Sequence, residues 1–104
     1  MSQFDVYYNE FPRTLSEIPF VVDVQSELLS DLATRVVVPL ENIPPNHPPI
    51  GRLNPIFEIQ GRRLILLPTE ITSVPSKVLG PIVSNLGDQR DRIISAIDFA
   101  LYGR

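Results

Sequence analysis

Proline placement limits what this chain can fold into more than any other feature. Eleven of its 104 residues are proline, and each removes a backbone donor and is excluded from helix interiors. The last proline is Pro81, and the run Asp88 to Arg104 is the segment that reads as one long helix. On a 3.6-residue wheel Ile93, Ile94, Ile97, Ala100 and Leu101 share one face. Asp91, Ser95, Asp98 and Tyr102 take the other, with Phe99 at its edge. Gly87-Asp88 supplies a start signal, because an aspartate side chain accepts from first-turn N–H groups, and Gly103 supplies the stop. Phe99 and Tyr102 fall off the core stripe close to the chain end. Two rings left there forgo burial of roughly 150–250 Å² each. They either cover a neighbouring strand or dimer seam, or present a contact surface to another protein.

Upstream of the helix the pattern is that of strands. Gln3–Asn9 alternates, with Phe4, Val6 and Tyr8 on one side and Asp5 and Tyr7 on a wet side. Residues 10–19 break the pattern with Pro12 and Pro19 and read as a loop. Phe20–Ser26 is a β-branched second strand, with Phe20, Val22 and Val24 facing one way. Glu27–Ala33 is too short for a free helix and reads as a turn presenting Leu28 and Leu29. Thr34–Leu40 is a third strand, ending or bulging at Pro39, which cannot donate to a ladder. Its Val36-Val37-Val38 run predicts burial on both faces.

The stretch 41–52 holds Pro44, Pro45, Pro48 and Pro49 and reads as an extended loop. Around Gly61, which suits a positive φ, segments 53–60 and 62–68 read as a tight hairpin. Thr69–Val74 extends it, and Ser76–Gly80, between Pro75 and Pro81, forms one helical turn. Strands first and a helix last predict one α+β domain over residues 1–104: a small SH3-like antiparallel β-barrel or curled sheet with one long C-terminal α-helix. No crossover helices are available for a parallel sheet.

Hydrophobic content of 43% with 20% charged residues predicts a folded chain. The absence of cysteine excludes disulfides and thiolate metal sites. A net charge of −3 argues against nucleic acid as the main partner, since phosphate neutralisation supplies much of such affinity. Arg62-Arg63 reads as an exposed pair on a strand edge. No apolar window approaches a membrane span and no signal-peptide pattern is present, so a cytoplasmic protein with no membrane partner is expected. Phosphate-binding loops, HExxH and GxSxG are absent. The one histidine, His47, sits in the proline-rich loop without clustered ligands or a nucleophile nearby in sequence. The expectation is a binding protein, not an enzyme, with no metal and no cofactor.

The segments Val22-Asp-Val-Gln-Ser-Glu-Leu-Leu29, Arg35-Val-Val-Val-Pro-Leu40 and Ile71-Thr-Ser-Val-Pro75, followed by the Ala96–Gly103 helix end, resemble in order and spacing the CcdB family of toxins. The likeness extends to Leu53–Ile59 and Pro75–Leu86 and is weakest over 9–19 and 41–52. The resemblance implies an SH3-like barrel with a C-terminal helix, assembled as a two-fold homodimer. It implies a toxin that grips the A subunit of DNA gyrase and traps the cleaved-DNA complex. It also implies neutralisation by a cognate, CcdA-like antitoxin and joint repression of the operon, with DNA contacted through the antitoxin. The family's gyrase-contacting positions fall on Leu28, Leu29, Asp98, Tyr102, Gly103 and Arg104. Candidate antitoxin-binding loops are 9–19 and 41–52.

Three departures stand at the helix tip. The family pattern has tryptophan where this chain has Tyr102, isoleucine where it has Arg104, and asparagine where it has Asp98. Tyrosine keeps a stacking ring, whereas an arginine entering a dry pocket is costly to desolvate. An alternative function follows: a CcdB-like protein that has lost gyrase poisoning and serves as antitoxin partner and co-repressor. A remoter one is the barrel's likeness to MazF-type endoribonucleases, whose N-terminal Arg-Gly-Asp-type segment and basic groove are absent here.

Overall fold

The computed structural model describes residues 1–10, 17–44 and 48–103. Seven strands among them form one sheet: β1 (Asp5–Tyr8), β2 (Phe20–Asp23), β3 (Thr34–Asn42), β4 (Ile56–Ile59), β5 (Arg62–Leu66), β6 (Thr72–Pro75) and β7 (Ile82–Asn85). Every pairing is antiparallel. The order is β4-β5-β3-β2-β1-β7, with β6 also on β3. One helix, α1 (Arg90–Tyr102), closes the chain. This is the curled α+β, SH3-like arrangement the sequence predicts.

The curl originates in β3. Its first half pairs with β6 (Thr34↔Pro75 to Val37↔Thr72) and its last three residues pair with β5 (Leu40↔Leu66 to Asn42↔Leu64). The strand runs through Pro39, contrary to the expectation that it ends or bulges there. The Pro39 carbonyl accepts from Leu67 N at 3.0 Å, on the side where β5 gives way to β6. In an antiparallel strand a residue's N–H and C=O point the same way, so the donor proline lacks is one this gap in the ladder does not use.

The Gln60-Gly61 corner is the predicted hairpin turn. Its two residues have φ of 53° and 76°, as a two-residue type I′ turn requires. A single 3₁₀ turn at Ser76–Val78 also matches expectation. Strand β7 is new: Ile82–Asn85 pairs with β1 through a register irregularity between Val6 and Tyr7.

The main core lies between the sheet and α1, where Val6, Phe20, Val22, Leu40, Phe57 and Leu66 pack with Ile93 and Ala96. The reverse face is not wet. Tyr7, Val21, Val37 and Val74 form a second buried cluster, sealed by Val78 and Leu79. Strand β1 is thus covered on both faces, and Asp5 is satisfied there by Asn85 Nδ2 at 2.9 Å and Ser2 N at 2.8 Å. On α1, Ile94 and Ile97 are half-buried against the core. Leu101, expected on the core stripe, is exposed at 59%. Asp88 does not cap the helix: it lies within a preceding 3₁₀ turn, Gly87–Gln89, and no side chain caps α1. Gly103 ends it as expected, at φ 75° with its N–H donating to the Phe99 carbonyl. No helix among the described residues is long and apolar enough to cross a membrane.

Candidate functional site

The Val22–Leu29 segment is a hydrogen-bonded device that holds two leucines outside the fold. Asp23 is fully buried at the end of β2, and its Oδ2 accepts from Arg35 Nε at 2.7 Å. Its Oδ1 accepts from Gln25 N at 2.9 Å, which turns the chain out of the strand. Gln25, also buried, then works in both directions: Nε2 donates to the Leu29 carbonyl at 2.7 Å and Oε1 accepts from Val36 N at 3.0 Å. Ser26 Oγ accepts from Leu28 N at 3.1 Å and so caps a 3₁₀ turn over Glu27–Leu29. The turn buries none of its residues. Leu28 is 94% exposed, and Leu29 and Leu32 are about half exposed.

The sequence does not single out Asp23, Gln25 and Arg35 as a unit. Strand alternation puts Arg35 on the face of Val37 and Asp23 on the face of Val21. The signal was there in two charged residues placed where β-branched neighbours mark burial. Arg35 is 1% exposed, and its Nη1 and Nη2 have no hydrogen-bond partner among the described residues. The hydrogen bond it donates to Asp23 holds its guanidinium above the usual range, against the opposing effect of burial. Tyr7 joins this cluster. Burial, then the charges of Asp5 and Asp23, push its phenol up to about 12. Asp5 acts on it through space; the Tyr7 hydroxyl makes no hydrogen bond of normal geometry.

The second part of the candidate site is the end of α1. Tyr102 is 69% exposed, and Gly103 beside it is exposed. Asp98 is half-buried one turn earlier, at the i, i+4 position that shares a helix face with Tyr102. Phe99 is less free than the wheel suggests. It is half-buried, with the Arg52 guanidinium 5.5 Å from its ring centre. The leucine turn and the helix tip are on separate elements, and no hydrogen bond or ring contact among the described residues joins them. Arg104 and His47 lie outside the described residues, as do 11–16 of loop 9–19 and 45–47 of loop 41–52. Arg62 and Arg63 are exposed on the hairpin as expected, with Arg62 bonded to Asn42 Oδ1 at 2.7 Å.

A family model described as CcdB protein matches residues 3–103, which takes in every strand and α1.

Proposed function

The chain belongs to the CcdB family of toxins from toxin–antitoxin modules, and on that premise we propose that it acts on DNA gyrase by binding, without catalysis. The toxin grips the gyrase A subunit as a homodimer and stops the cleaved-DNA complex from being resealed. A cognate antitoxin neutralises it, and the two together repress their operon, with the antitoxin touching the DNA. The carrying observation is the exposure of Tyr102 at 69% and Leu28 at 94%. A ring and an aliphatic side chain left in water by an otherwise well-buried fold have the character of interface anchors. A two-fold toxin on a two-fold target uses each such anchor twice.

A second reading rests on the chain's last residue and on Asp98. Two charges at positions where the family carries asparagine and isoleucine raise the desolvation cost of entering a dry pocket. An ion pair between two solvent-exposed charges would offset little of that cost. One experiment separates the two. Purified protein is mixed with gyrase, supercoiled plasmid and ATP, and linear DNA is sought after protease treatment, with Arg104→Ile run alongside. Linear DNA from the native chain supports the poison. Linear DNA from Arg104→Ile alone supports a partner that has lost poisoning, and none from either, with both folded and dimeric, removes gyrase as the target.

A further inference from the structure

The part of α1 that carries Tyr102 runs on beyond the helix's last fully buried residue. Ile93 and Ala96 are the buried positions of α1, and residues 98–103 are half-buried or exposed. A last turn without support frays, since its final carbonyls have no partner further along the helix. Gly103 N closes this turn on the Phe99 carbonyl at 2.9 Å, so the cap is only as fixed as Phe99 is. Among the described residues, no hydrogen bond or ion pair reaches Asp98, Phe99 or Tyr102 from outside the helix. One ring contact does: the Arg52 guanidinium, 5.5 Å from the Phe99 ring centre.

Arg52 comes from a loop that is itself tied to the sheet. Asn54 N donates to the Ile50 carbonyl at 3.0 Å and Ile50 N donates to Asn54 Oδ1 at 3.0 Å, which closes the loop on itself. Asn54 Nδ2 then donates to the Leu66 carbonyl of β5 at 3.0 Å, and Leu66 N donates to the Pro55 carbonyl at 3.1 Å. On the helix side, Arg52 Nε donates to Ser95 Oγ at 2.6 Å. Ser95 and Phe99 stand at i and i+4 on one side of α1, so a single side chain spans both. Arginine suits that task, because its planar group donates hydrogen bonds and stacks on aromatic rings. A continuous route therefore runs from β5 through Asn54 and Arg52 to Phe99, and from Phe99 to the cap at Gly103.

We propose that Arg52 is a positioning residue for the helix tip: it holds Phe99, and with it the last turn, so that Tyr102 is already oriented when its partner arrives. Preorganisation of this kind raises affinity by removing an ordering cost from the binding step, with no contact between Arg52 and the partner. The assignment rests on the reading of Tyr102 as an interface anchor, and it adds a residue some 50 positions upstream to the machinery of that anchor.

The test is a double-mutant cycle in the complete protein, with Arg52→Gln, Phe99→Leu and the two combined. In the free protein, Arg52→Gln is expected to quicken amide exchange at Tyr102 and Gly103 about tenfold, the combined worth of one exposed cation–π contact and one hydrogen bond. The chain has three tyrosines; with fluorotyrosine labelling, the Tyr102 signal is expected to shift and those of Tyr7 and Tyr8 to stay. Calorimetry with the gyrase A subunit is expected to show binding weakened about threefold or more, as the share of molecules with the tip in place falls. In the Phe99→Leu background the same change at Arg52 is expected to do nothing further. Equal weakening in both backgrounds would make Arg52 a direct contact and overturn the positioning role. Unchanged exchange at Tyr102 and Gly103 would overturn it too, and so would equal quickening across β3, which would make Arg52 a general stabiliser. These exchange readings need only the Arg52→Gln variant and stand even where Phe99→Leu fails to fold. If exchange quickens at the tip alone but the native protein does not bind gyrase, the anchor reading falls and the positioning of the tip survives.

Discussion

Asp23 and Arg35 are the residues on which the candidate leucine turn depends, and they are buried at a cost. Arg35 meets Asp23 through Nε, and its two terminal nitrogens have no hydrogen-bond partner among the described residues. Such a pair adds little net stability, yet breaking it leaves one charge stranded. Asp23→Ala is therefore expected to cost about 3–5 kcal/mol in urea unfolding. An Asp23→Leu/Arg35→Met double substitution is expected to cost less than that single change. A double variant as unstable as Asp23→Ala would assign the loss to packing instead of stranded charge. Tyr7 gives a separate readout. Its pKa is raised from 10.0 to about 12 in the fold, so the neutral phenol is the form the fold favours. That contribution is fully present below pH 10 and is lost as pH rises through about 12. Ultraviolet titration is expected to show a tyrosine ionising near 12, and Tyr7→Phe is expected to remove that step. Because the hydroxyl is buried with no hydrogen-bond partner among the described residues, Tyr7→Phe is expected to hold or gain stability at neutral pH.

At the scale of elements, Gln25 is the side chain that bridges the connection between β2 and β3 directly to β3. Gln25 ties the leucine turn to β3 through Leu29 and Val36. Gln25→Ala leaves a carbonyl and an amide without that partner and is expected to cost about 1–3 kcal/mol. Amide exchange is expected to quicken across residues 26–33 first; uniform quickening over the whole sheet would mean that the turn has no independent behaviour. Much of this level was legible in the sequence. Gly61 marked the hairpin, Gly103 the helix end, and the short Glu27–Leu29 turn left its leucines with nowhere to pack. What escaped has physical causes. Ile82–Asn85 is four residues long with no alternation of its own, and only pairing with β1 makes it a strand. Asp5 and Tyr7 look like a solvent face until Asn85 and the Val74 cluster cover them, since local alternation cannot foresee a cover contributed from some 70 residues away. Pro39 is tolerated inside β3 because that strand changes partners beside it. The Arg52–Phe99 contact joins a loop to a helix and has no local signature at all.

The whole molecule divides its labour between a sealed body and two exposed projections. The middle strands β1, β2 and β3 contribute to buried clusters on both faces of the sheet, and the large apolar side chains left in water include those of the leucine turn and the helix tip. Assembly as a homodimer is expected to give a sedimentation mass of twice 11.7 kDa. A monomer at micromolar concentration would remove the two-fold match between toxin and target. The most direct measurement is calorimetric titration of the gyrase A subunit with the native protein and with Tyr102→Ala. The expected result is one toxin dimer per A-subunit dimer, and at least about 30-fold weaker binding on loss of the ring, as for an interface hot spot. Saturable binding that Tyr102→Ala leaves unchanged would contradict the assignment of the helix tip, and no binding by the native protein would contradict gyrase itself.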